Sequence, residues 1–570
     1  MLQKSYPQSY PQFVGILERL NMPMFATAEI DPFYQFFQRI SPKNAERATP
    51  FLHRVLEAWE NGHSFIELNK EEQTLALTLS PLIGLAEEKK ALLLLQDNYL
   101  FLHKIYNFEH TIASRLNDLC HTHFAFDEQD NLWQEYFKDE NDNPLIIKSN
   151  LQQKNAVKNA LGSRFSLISG GPGTGKTTTV AKLLALLCHQ AKSLPRIALS
   201  APTGKAAAHL QQSLMKGLDN LSFRQPEIKT HLSQLQGKTL HRLLNIRPPL
   251  NFSEYNQQNT LPYDIVIVDE SSMIELNIAY QLLNAIGKNT RLILLGDKDQ
   301  LPSVGAGAVL EQISQIDEKS VLSKSVSHLT VSRRFDEKSG IGVLASAILE
   351  NNPDKALNCF QDFPQQITQK TDTQQLCQAY YDLQKDYWQA IKEENIHKAF
   401  EYFYNTMVLC VLRFDAQRFN RQFLNFLTKK GHGEKLFNGK AIMVTENNVP
   451  LDIYNGDIGI ILNNKVFFPN HQNGIDLPRI NHFEDAFAIT VHKSQGSEYN
   501  HIFLITPKKY IEDEEQNSEK IFDRSLLYTA VTRSKKTFCY IGDDLSLKNA
   551  MNRQNKRRSL LKQLVMSNEQ

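Results

Sequence analysis

The chain has 570 residues, which predicts several domains because a domain typically takes about 100–200 residues. Hydrophobic residues make up 41% of the sequence and charged residues 22%, and these ordinary values exclude a fibrous or largely disordered protein. The formal net charge of +1 excludes a uniformly basic or acidic chain, so any nucleic-acid site has to be local.

Residues 1–110 are predicted to be helical, because apolar residues recur at helical spacing in FLHRVLEAWENG and EEKKALLLLQ. The region has no phosphate loop and no recognisable catalytic cluster, but aromatic residues crowd positions 33–37 and leucines positions 92–95. These side chains fill either the core of a small domain or a surface that docks to a partner. We expect a helical docking domain, and a polar connector at 138–143.

From residue 151 the pattern changes to alternating strands and helices. Residues 350–410 are predicted to be helical, and residues 438–487 to be rich in β-strands separated by Asn/Gly turns. Alternation resumes from residue 487, so the predicted fold class is α/β with a β-rich insertion. Short apolar runs typical of buried parallel strands occupy 165–169, 196–200, 265–268 and 291–295.

A glycine-rich loop is the sharpest local signal. The strand FSLIS leads into it and the helix TTTVAKLLALLCHQ follows, which is the context that phosphate binding requires. Glycines let backbone N–H groups approach a phosphate closely, and the helix N-terminus adds a favourable dipole. Lys176 is predicted to reach the β- and γ-phosphates of a nucleoside triphosphate, and Thr177 to bind Mg²⁺ through its hydroxyl. The predicted nucleotide-binding residues are Gly170, Gly171, Pro172, Gly173, Thr174, Gly175, Lys176, Thr177 and Thr178.

Two carboxylates follow the predicted strand at 265–268. We expect Asp269 to hold the Mg²⁺, and Glu270 to act as general base toward the attacking water. Two acids after a strand are on their own more often a helix N-cap, and the phosphate loop upstream favours the catalytic interpretation. Gln300, in the string GDKDQLPSV after a further strand, is predicted to sense the γ-phosphate. Together these motifs indicate NTP hydrolysis without saying what it drives.

Three further strings bear on what hydrolysis drives: APTGKAA at 201–207, AITVHKSQGSE at 488–498 and YTAVTRSK at 528–535. With the phosphate loop and GDKDQLPSV, they resemble the motifs of superfamily 1 helicases in type and order. The strings TLHRLL, IVDESSM, RRFDEKSGIGVLA and YNGDIGI are similar to those of the RecD family, the alpha subunits of the bacterial RecBCD helicase–nuclease, exodeoxyribonuclease V. The resemblance covers about residues 95–545.

The resemblance implies two RecA-like lobes that bind ATP between them and a single DNA strand across both. The first lobe would take residues 111–345, with a duplex-splitting β-hairpin inserted at about 245–262. The second lobe would take residues 346–435 and 487–570, interrupted by a small SH3-like β-barrel at 436–486. Residues 413–420 lack the glycines that the family usually has there, which leaves the local loop uncertain.

The resemblance also implies roles for single residues in the nucleotide site. Gln153 matches a glutamine that reads adenine, Glu498 an acid near the ribose with Gly496 beside it, and Arg533 the arginine finger. Fixed guanidinium groups stabilise the charge that develops on a transferred phosphoryl group.

A second arginine is expected at the γ-phosphate. Arg334 matches it, although Arg333 stands where an aromatic residue is usual, so either can serve. Two arginines from the far lobe make hydrolysis depend on lobe closure. Hydroxyls, amides and backbone N–H groups suit contact with a DNA backbone without sequence choice, and for both histidines a capping or core role is the alternative. The implied DNA contacts are Pro202, Thr203, Gly204, Lys205, Thr239, His241, Asn447, His492 and Ser494.

We therefore expect a DNA-dependent ATPase that moves 5′→3′ on single-stranded DNA and unwinds from the 5′ end of a duplex. It would assemble with RecB-like and RecC-like subunits in double-strand break repair and homologous recombination. The alternative is a stand-alone RecD-like helicase. That form often carries N-terminal helix–hairpin–helix units, whereas residues 1–110 contain only Gly15, Gly62 and Gly84, at irregular spacing. The late motifs disfavour a nucleotide kinase, and the full set of catalytic residue types disfavours a vestigial ATPase.

The remaining segments carry no predicted chemistry. The acidic run at 512–515 is interpreted as a solvated loop, and the basic run at 556–558 as the exposed face of a terminal helix. No constellation indicates a nuclease centre. Six scattered cysteines without a CxxC pair argue against a zinc site or a disulfide framework. Since no apolar stretch has signal or transmembrane length, we expect a soluble cytoplasmic protein.

Overall fold

The computed structural model describes residues 31–567, apart from 89, 122–123, 125–130, 138–143, 248–250, 304, 318, 333–338, 371–374, 434–435, 470 and 508–520. This part of the chain forms four β-sheets surrounded by helices. It contains no helix that is both long and apolar enough to cross a membrane. The predicted connector at 138–143 and the acidic run at 512–515 lie outside it.

The N-terminal region combines helices with a four-stranded sheet, whereas the sequence predicted helices alone. Its elements are α1 (Pro32–Ile40), α2 (Ala45–Glu60), β1 (Phe65–Glu67), α3 (Lys70–Leu77), β2 (Ile83–Leu85), β3 (Leu93–Gln96), β4 (Tyr99–Leu102) and α4 (His103–Cys120). The helix predicted within 51–62 is confirmed as part of α2. The helix predicted over 87–96 is wrong, because its leucines form β3. This strand lies between β2 and β4 with its leucines buried, so its apolar run lacks the alternation that identifies a strand.

The apolar side chains of the N-terminal region are largely used in a core. Phe33 and Phe37 are buried, and so are Leu93, Leu94 and Leu95. The same core continues into the first-lobe sheet, one strand of which leads into the glycine-rich loop. It does so because α4 packs against a helix at 276–285 and against the C-terminal helix. The boundary predicted at residue 110 therefore falls inside a helix.

The first lobe is an α/β unit with a six-stranded parallel sheet. Its elements are α5 (Asn131–Tyr136), α6 (Pro144–Gly162), β5 (Phe165–Gly170), α7 (Lys176–Gln190), β6 (Ile197–Ala201), α8 (Gly204–Asp219), α9 (Pro226–Ser233), β7 (Gly237–Thr239), α10 (Leu240–Leu243), β8 (Ile265–Val268), α11 (Leu276–Ala285), β9 (Arg291–Gly296), α12 (Val309–Ser314) and β10 (Val326–Leu329). The strand order is β10-β5-β9-β8-β6-β7. The predicted strands are confirmed as β5, β6, β8 and β9. Their carboxyl ends meet at one edge of the sheet, where ligands bind in such folds.

The β-hairpin predicted at about 245–262 is not formed by the residues described there. Residues 245–247 and 251–262 contain no strand. Local side-chain bonds hold this segment instead: Asn256 accepts from the backbone N–H groups of Gln258 (2.9 Å) and Asn259 (3.1 Å). Such a turn competes with strand pairing for the backbone. The hairpin prediction is therefore wrong for these residues.

The second lobe repeats the α/β plan around a five-stranded parallel sheet of order β11-β20-β19-β12-β18. In chain order its elements, with those of the insertion, are α13 (Gly340–Leu349), α14 (Pro353–Asp362), β11 (Ile367–Lys370), α15 (Leu376–Leu383), α16 (Lys385–Lys392), α17 (Ile396–Phe403), β12 (Thr406–Cys410), α18 (Arg413–Lys429), β13 (Ala441–Val444), β14 (Ile458–Leu462), β15 (Lys465–Phe468), β16 (His471–Asp476), β17 (Phe483–Asp485), β18 (Ala488–Thr490), β19 (Tyr499–Ile505), α19 (Arg524–Thr532), β20 (Ser534–Ile541), α20 (Asp544–Asn552) and α21 (Leu561–Ser567). The uncertain segment 413–420 is the regular start of α18. The boundary predicted at 345 falls inside α13, which packs on α19.

The β-rich insertion is an antiparallel sheet formed by β13–β17, in the order β16-β15-β14-β13-β17. The prediction of β structure in this region is confirmed. The described strands pair as an open series, with β16 and β17 at its two edges. The likeness to an SH3 barrel stays a prediction.

The C-terminal segment departs from the sequence prediction. Residues 553–559 form neither helix nor strand, and they lead back from the second lobe to the N-terminal region. Ser64 donates its backbone N–H to the carbonyl of Arg558, and Glu109 accepts from Ser559 at 2.6 Å. The basic run 556–558 is thus not the face of a terminal helix. Arg557 is half-buried, because its guanidinium donates to backbone carbonyls of the first lobe.

Candidate nucleotide and DNA site

The glycine-rich loop joins the carboxyl end of β5 to the first turn of α7, in the predicted context. Gly175 has a φ of +90°, a left-handed conformation that favours glycine. A Cβ there would lie 2.3 Å from the amide nitrogen of Gln153. The ammonium of Lys176 donates to the carbonyls of Gly170 (2.5 Å) and Gly171 (3.2 Å). The loop thus places a lysine beside a helix N-terminus, an arrangement that binds phosphate.

Gln153, which the resemblance assigns to adenine, lies against this loop. Its side chain is buried, and its amide donates to the carbonyl of Thr174 at 3.4 Å. Thr174 donates its hydroxyl to the carbonyl of Gly171 at 2.9 Å. Thr177 and Thr178 lie in the first turn of α7. In this structure Gln153 therefore braces the loop, and its contact with a base stays a prediction.

Asp269 and Glu270 follow β8, at the sheet edge that carries the phosphate loop. Asp269 is buried and accepts a hydrogen bond from the backbone N–H of Glu270 at 2.8 Å. Glu270 has a φ of +50°, which is strained for a residue with a Cβ and recurs at functional sites. Burial raises the pKa of both carboxyls, while the charge of Lys176 lowers the pKa of Asp269 and that of Arg533 lowers the pKa of Glu270. Burial therefore favours the neutral form of this pair, and the nearby cations only partly oppose that effect.

A chain of hydrogen bonds joins the lobes beside these carboxylates. Asp297 accepts from the amide of Gln300 at 3.0 Å, and the oxygen of Gln300 accepts from the guanidinium of Arg533 at 2.5 Å. Tyr528 donates its hydroxyl to Asp297 at 3.2 Å. Arg533 is buried and also donates to the carbonyl of Ser497 at 3.3 Å. The structure thus brings together two residues, Gln300 and Arg533, that were predicted from separate motifs.

A cavity of about 660 Å³ lies between the lobes here, a volume ordinary for a small-molecule site. On the second lobe, Glu498 forms an ion pair with Lys535 at 3.1 Å. Gly496 has a φ of +72° and packs against Ala206 of α8. The lining of the cavity includes Gly170, Gly171, Pro172, Asp297, Tyr528 and Thr532.

The predicted DNA contacts of the first lobe divide into two groups. Pro202, Thr203 and His241 line a groove of about 600 Å³. Lys205 lies elsewhere: its ammonium is 4.6 Å from the ring centre of Tyr404 and 5.7 Å from that of Tyr499. Burial lowers the pKa of Lys205 to about 8, an effect that the carboxylate of Asp457 partly opposes. Lys205 therefore packs at the contact between lobes in this structure.

Other predicted DNA contacts have structural tasks. Thr239 caps α10 by accepting from the backbone N–H of Arg242 at 3.2 Å. Ser494 is buried and donates to the carbonyl of Val491 at 2.6 Å, so its hydroxyl is not presented to a DNA backbone. Gly204 starts α8, with open space where a Cβ would project.

The second-lobe residues Asn447 and His492 are more accessible than Ser494. Asn447 is exposed and accepts from the backbone N–H of Asn455 at 2.9 Å. His492 is half-buried, and burial and the nearby Arg557 lower its pKa. Arg334 and its alternative Arg333 lie outside the described residues.

Several contacts were not predicted from the sequence. The backbone N–H of Leu301 donates to Thr529 at 2.9 Å, and Gln495 donates to the carbonyl of Leu301 at 3.0 Å. Both partners of Leu301 stand inside the late motif strings, so their membership of those strings was the available signal. Arg557 lies outside the motif strings, so no signal in the sequence indicated its contacts. Its guanidinium donates to the carbonyls of Ser303 (2.5 Å) and Gly305 (2.5 Å).

Comparison with known proteins agrees with this geometry. Residues 153–306 match the family described as an AAA domain, and residues 485–538 match the UvrD-like helicase C-terminal domain. The RecBCD enzyme subunit RecD of Haemophilus influenzae is 32% identical over 502 residues, which are 78% of this chain and 76% of that protein. The chain belongs to the RecD family. This RecD-family chain is a DNA helicase that uses a nucleotide.

Further relatives differ in their sequence identity to this RecD-family chain. The RecBCD enzyme subunit RecD of Mycolicibacterium smegmatis is 36% identical, over 71% of this chain and 73% of that protein. The ATP-dependent RecD2 DNA helicase of Deinococcus radiodurans is 26% identical, over 72% of this chain and 51% of that protein. Among solved structures, the Pif1 helicase from Bacteroides in complex with ADP-AlF3 and ssDNA is 19% identical, with a TM-score of 0.37, over 68% of this chain and 90% of that one.

Proposed function

We propose that this chain is an ATP-driven motor that moves 5′→3′ along single-stranded DNA and unwinds duplexes from their 5′ end. We further propose that it works as a subunit of a RecBCD-type complex in double-strand break repair and homologous recombination. The observation that carries the motor function is the bond between Gln300 of the first lobe and Arg533 of the second, next to the phosphate loop. A nucleotide bound there would touch both lobes, so its hydrolysis can move one lobe relative to the other.

The phosphate loop residues would hold the triphosphate of ATP. Lys176 would move from the carbonyls of Gly170 and Gly171 to the β- and γ-phosphates, which are stronger acceptors for an ammonium group. Gln153 would read the adenine, and Glu498 would contact the ribose.

A magnesium ion fits the donors at this site. Thr177 and Asp269 supply one hydroxyl and one carboxylate, and Mg²⁺ in nucleotide sites is commonly held by one or two protein oxygens together with phosphates. The described residues contain no group of three or more His, Cys, Asp or Glu that would form an all-protein metal site. Mg²⁺ would neutralise charge on the β- and γ-phosphates when it is bound.

Hydrolysis would use residues of both lobes. Glu270 would accept a proton from the attacking water. Gln300 would orient the γ-phosphate, and Arg533 would stabilise the charge that develops there. Arg334 is proposed as a second arginine. Because Arg533 is held by Ser497 and Gln300, its position depends on how the lobes meet.

The partners are proposed from the relatives. Proteins 32% and 36% identical to this chain are described as RecBCD enzyme subunits, while the RecD2 helicase is only 26% identical. RecB-like and RecC-like subunits are therefore the proposed partners, and the cytoplasm the proposed location. The N-terminal region is the proposed docking domain, although its aromatic residues at 33 and 37 are buried in its own core.

Strand-displacement assays test the proposed polarity. The purified chain would be given partial duplexes with either a 5′ or a 3′ single-stranded tail, and its association with RecB-like and RecC-like subunits would be measured separately. We expect ATP-dependent displacement only from the 5′-tailed substrate. Displacement only from the 3′-tailed substrate would overturn the polarity. Full activity and no association with the partner subunits would instead favour a stand-alone helicase.

A further inference from the structure

A groove of about 600 Å³ separates the N-terminal region from the first lobe. Its first-lobe wall contains Pro202, Thr203 and His241, which are proposed DNA contacts. Its opposite wall contains Trp59, at the end of α2, and Lys104, in the first turn of α4. The N-terminal region thus supplies half of a groove that begins at the proposed DNA track.

The chemistry of the groove suits nucleobases better than phosphates. Its apolar lining includes Phe108, Ile246 and Ile278, and the amide residues Asn251 and Asn277 also line it. Apolar surfaces accept the faces of unstacked bases, and amides can bond to base edges in a single strand.

The charges in the groove also favour nucleobases over phosphates. Glu60 and Glu275 also line it, and carboxylates repel phosphates. Lys104 is the cation of the N-terminal wall, but its ammonium faces aromatic rings, 5.4 Å from the ring centre of Phe252 and 5.8 Å from that of Phe108. The phosphate backbone would therefore run along the rim, while bases point inward.

We propose that this groove binds unpaired bases of the single DNA strand and that Trp59 is a stacking platform for one of them. The proposal rests on the proposed function, since it extends the DNA track of the first lobe. Trp59 fits the role because its indole packs against the N-terminal core yet is only partly buried. A rigid aromatic ring at a groove wall can stack on any base, so it adds affinity without sequence choice.

Tryptophan fluorescence gives a direct test, because the chain has three tryptophans. Trp133 is fully buried and Trp388 is 4% exposed, so Trp59 is the one that faces a groove. Titration of the full chain with a dT oligonucleotide of about 20 nucleotides should quench the emission, and Trp59→Phe should lose that quenching. Unchanged emission from the wild-type chain while the oligonucleotide binds would overturn the proposal.

Affinity for modified strands tests the stacking itself. Trp59→Ala should weaken binding of the dT oligonucleotide about tenfold, within the range for loss of one base–aromatic stack, and Trp59→Phe should retain most of the affinity. An oligonucleotide of the same length with abasic sites throughout should bind wild-type and Trp59→Ala chains equally. If Trp59→Ala weakened both oligonucleotides alike, Trp59 would have a structural effect and no contact with a base.

The outcome also separates this proposal from the proposed function. If the wild-type chain failed to bind single-stranded DNA, or its ATPase were not stimulated by it, the proposed function would fail first. If DNA stimulated the ATPase of the wild-type and Trp59→Ala chains with the same half-saturating DNA concentration, only the groove proposal would fail. Loss of association with RecB-like and RecC-like subunits in Trp59→Ala, with DNA affinity intact, would identify the groove as a protein-binding surface and overturn the proposal.

Discussion

The two lobes contribute to the nucleotide site in different ways. The first lobe supplies a continuous loop with Lys176, and Asp269 and Glu270 from a nearby strand of the same sheet. The second lobe supplies single side chains, above all Arg533, which is held by Gln300 and by the carbonyl of Ser497. We therefore expect the first lobe to bind phosphates by itself and hydrolysis to require the second lobe. Binding and hydrolysis should respond differently to changes in each lobe.

The largest effect is expected from Lys176→Ala, which removes the central cation that the first lobe contributes to the nucleotide site. DNA-stimulated ATP hydrolysis should fall below about a tenth of the wild-type rate and unwinding should be lost, because the β- and γ-phosphates lose their lysine. Binding of single-stranded DNA should remain largely intact. Lys182→Ala is a matched control, since Lys182 lies in the same helix with its ammonium 4.5 Å from the ring centre of Phe137. Retention of a higher rate by Lys176→Ala would show that this loop is not the motor site.

Arg533→Ala tests the contribution of the second lobe to the nucleotide site. ATP affinity should stay within a few-fold of the wild-type value, while the rate of hydrolysis should fall by about 10³, the range for loss of an arginine finger. Arg533→Lys should also be slow, because an ammonium group cannot replace the guanidinium fork that bonds to both Gln300 and Ser497. Single-turnover hydrolysis and equilibrium ATP binding measure the two quantities. Equal losses of affinity and rate would make Arg533 a ground-state binding residue and remove the distinction between the lobes.

The contrast between the two lobes also explains which features could be predicted from the sequence. The phosphate loop was predictable because strand, glycines and helix are adjacent in the chain, and the four central strands of the first lobe followed from their apolar runs. The bond between Gln300 and Arg533 joins residues 233 positions apart, so no local pattern could predict it, and the two residues were only assigned separately to the γ-phosphate. The leucines of β3 were misassigned because burial removes the alternation of a strand.

Arg557→Ala tests a second link between the lobes, outside the nucleotide site. Arg557 follows α20 of the second lobe, yet it donates to the carbonyls of Ser303 and Gly305 in the first lobe. Its loss should lower the free energy of unfolding by about 2–4 kcal/mol, since buried carbonyls lose a charged donor. The neighbouring Arg558→Ala should change the free energy by less than about 0.5 kcal/mol, because that side chain is exposed. Urea denaturation compares the two variants, and equal effects would rule out a specific link.

The smallest effect concerns Lys205, at the contact between the lobes. Burial lowers its pKa to about 8 in the folded chain, against 10.5 for an ordinary lysine. Below pH 8 the folded chain carries a desolvated charge that destabilises it. Between about pH 8 and 10.5 the folded chain releases this proton while the unfolded chain retains it, so the destabilisation is relieved as pH rises.

Lys205→Met, which keeps the length of the side chain without the charge, should therefore be more stable than the wild-type chain at pH 7.5. The difference in melting temperature should be a few degrees and should shrink at pH 9.5, because the wild-type lysine is then largely neutral. Thermal denaturation of both chains at the two pH values measures this change. Lys182→Met is the control, since it removes a lysine from the first lobe away from the contact between lobes. A difference that stayed constant between the two pH values would mean that Lys205 titrates as an ordinary lysine and that the lobes meet less closely in solution.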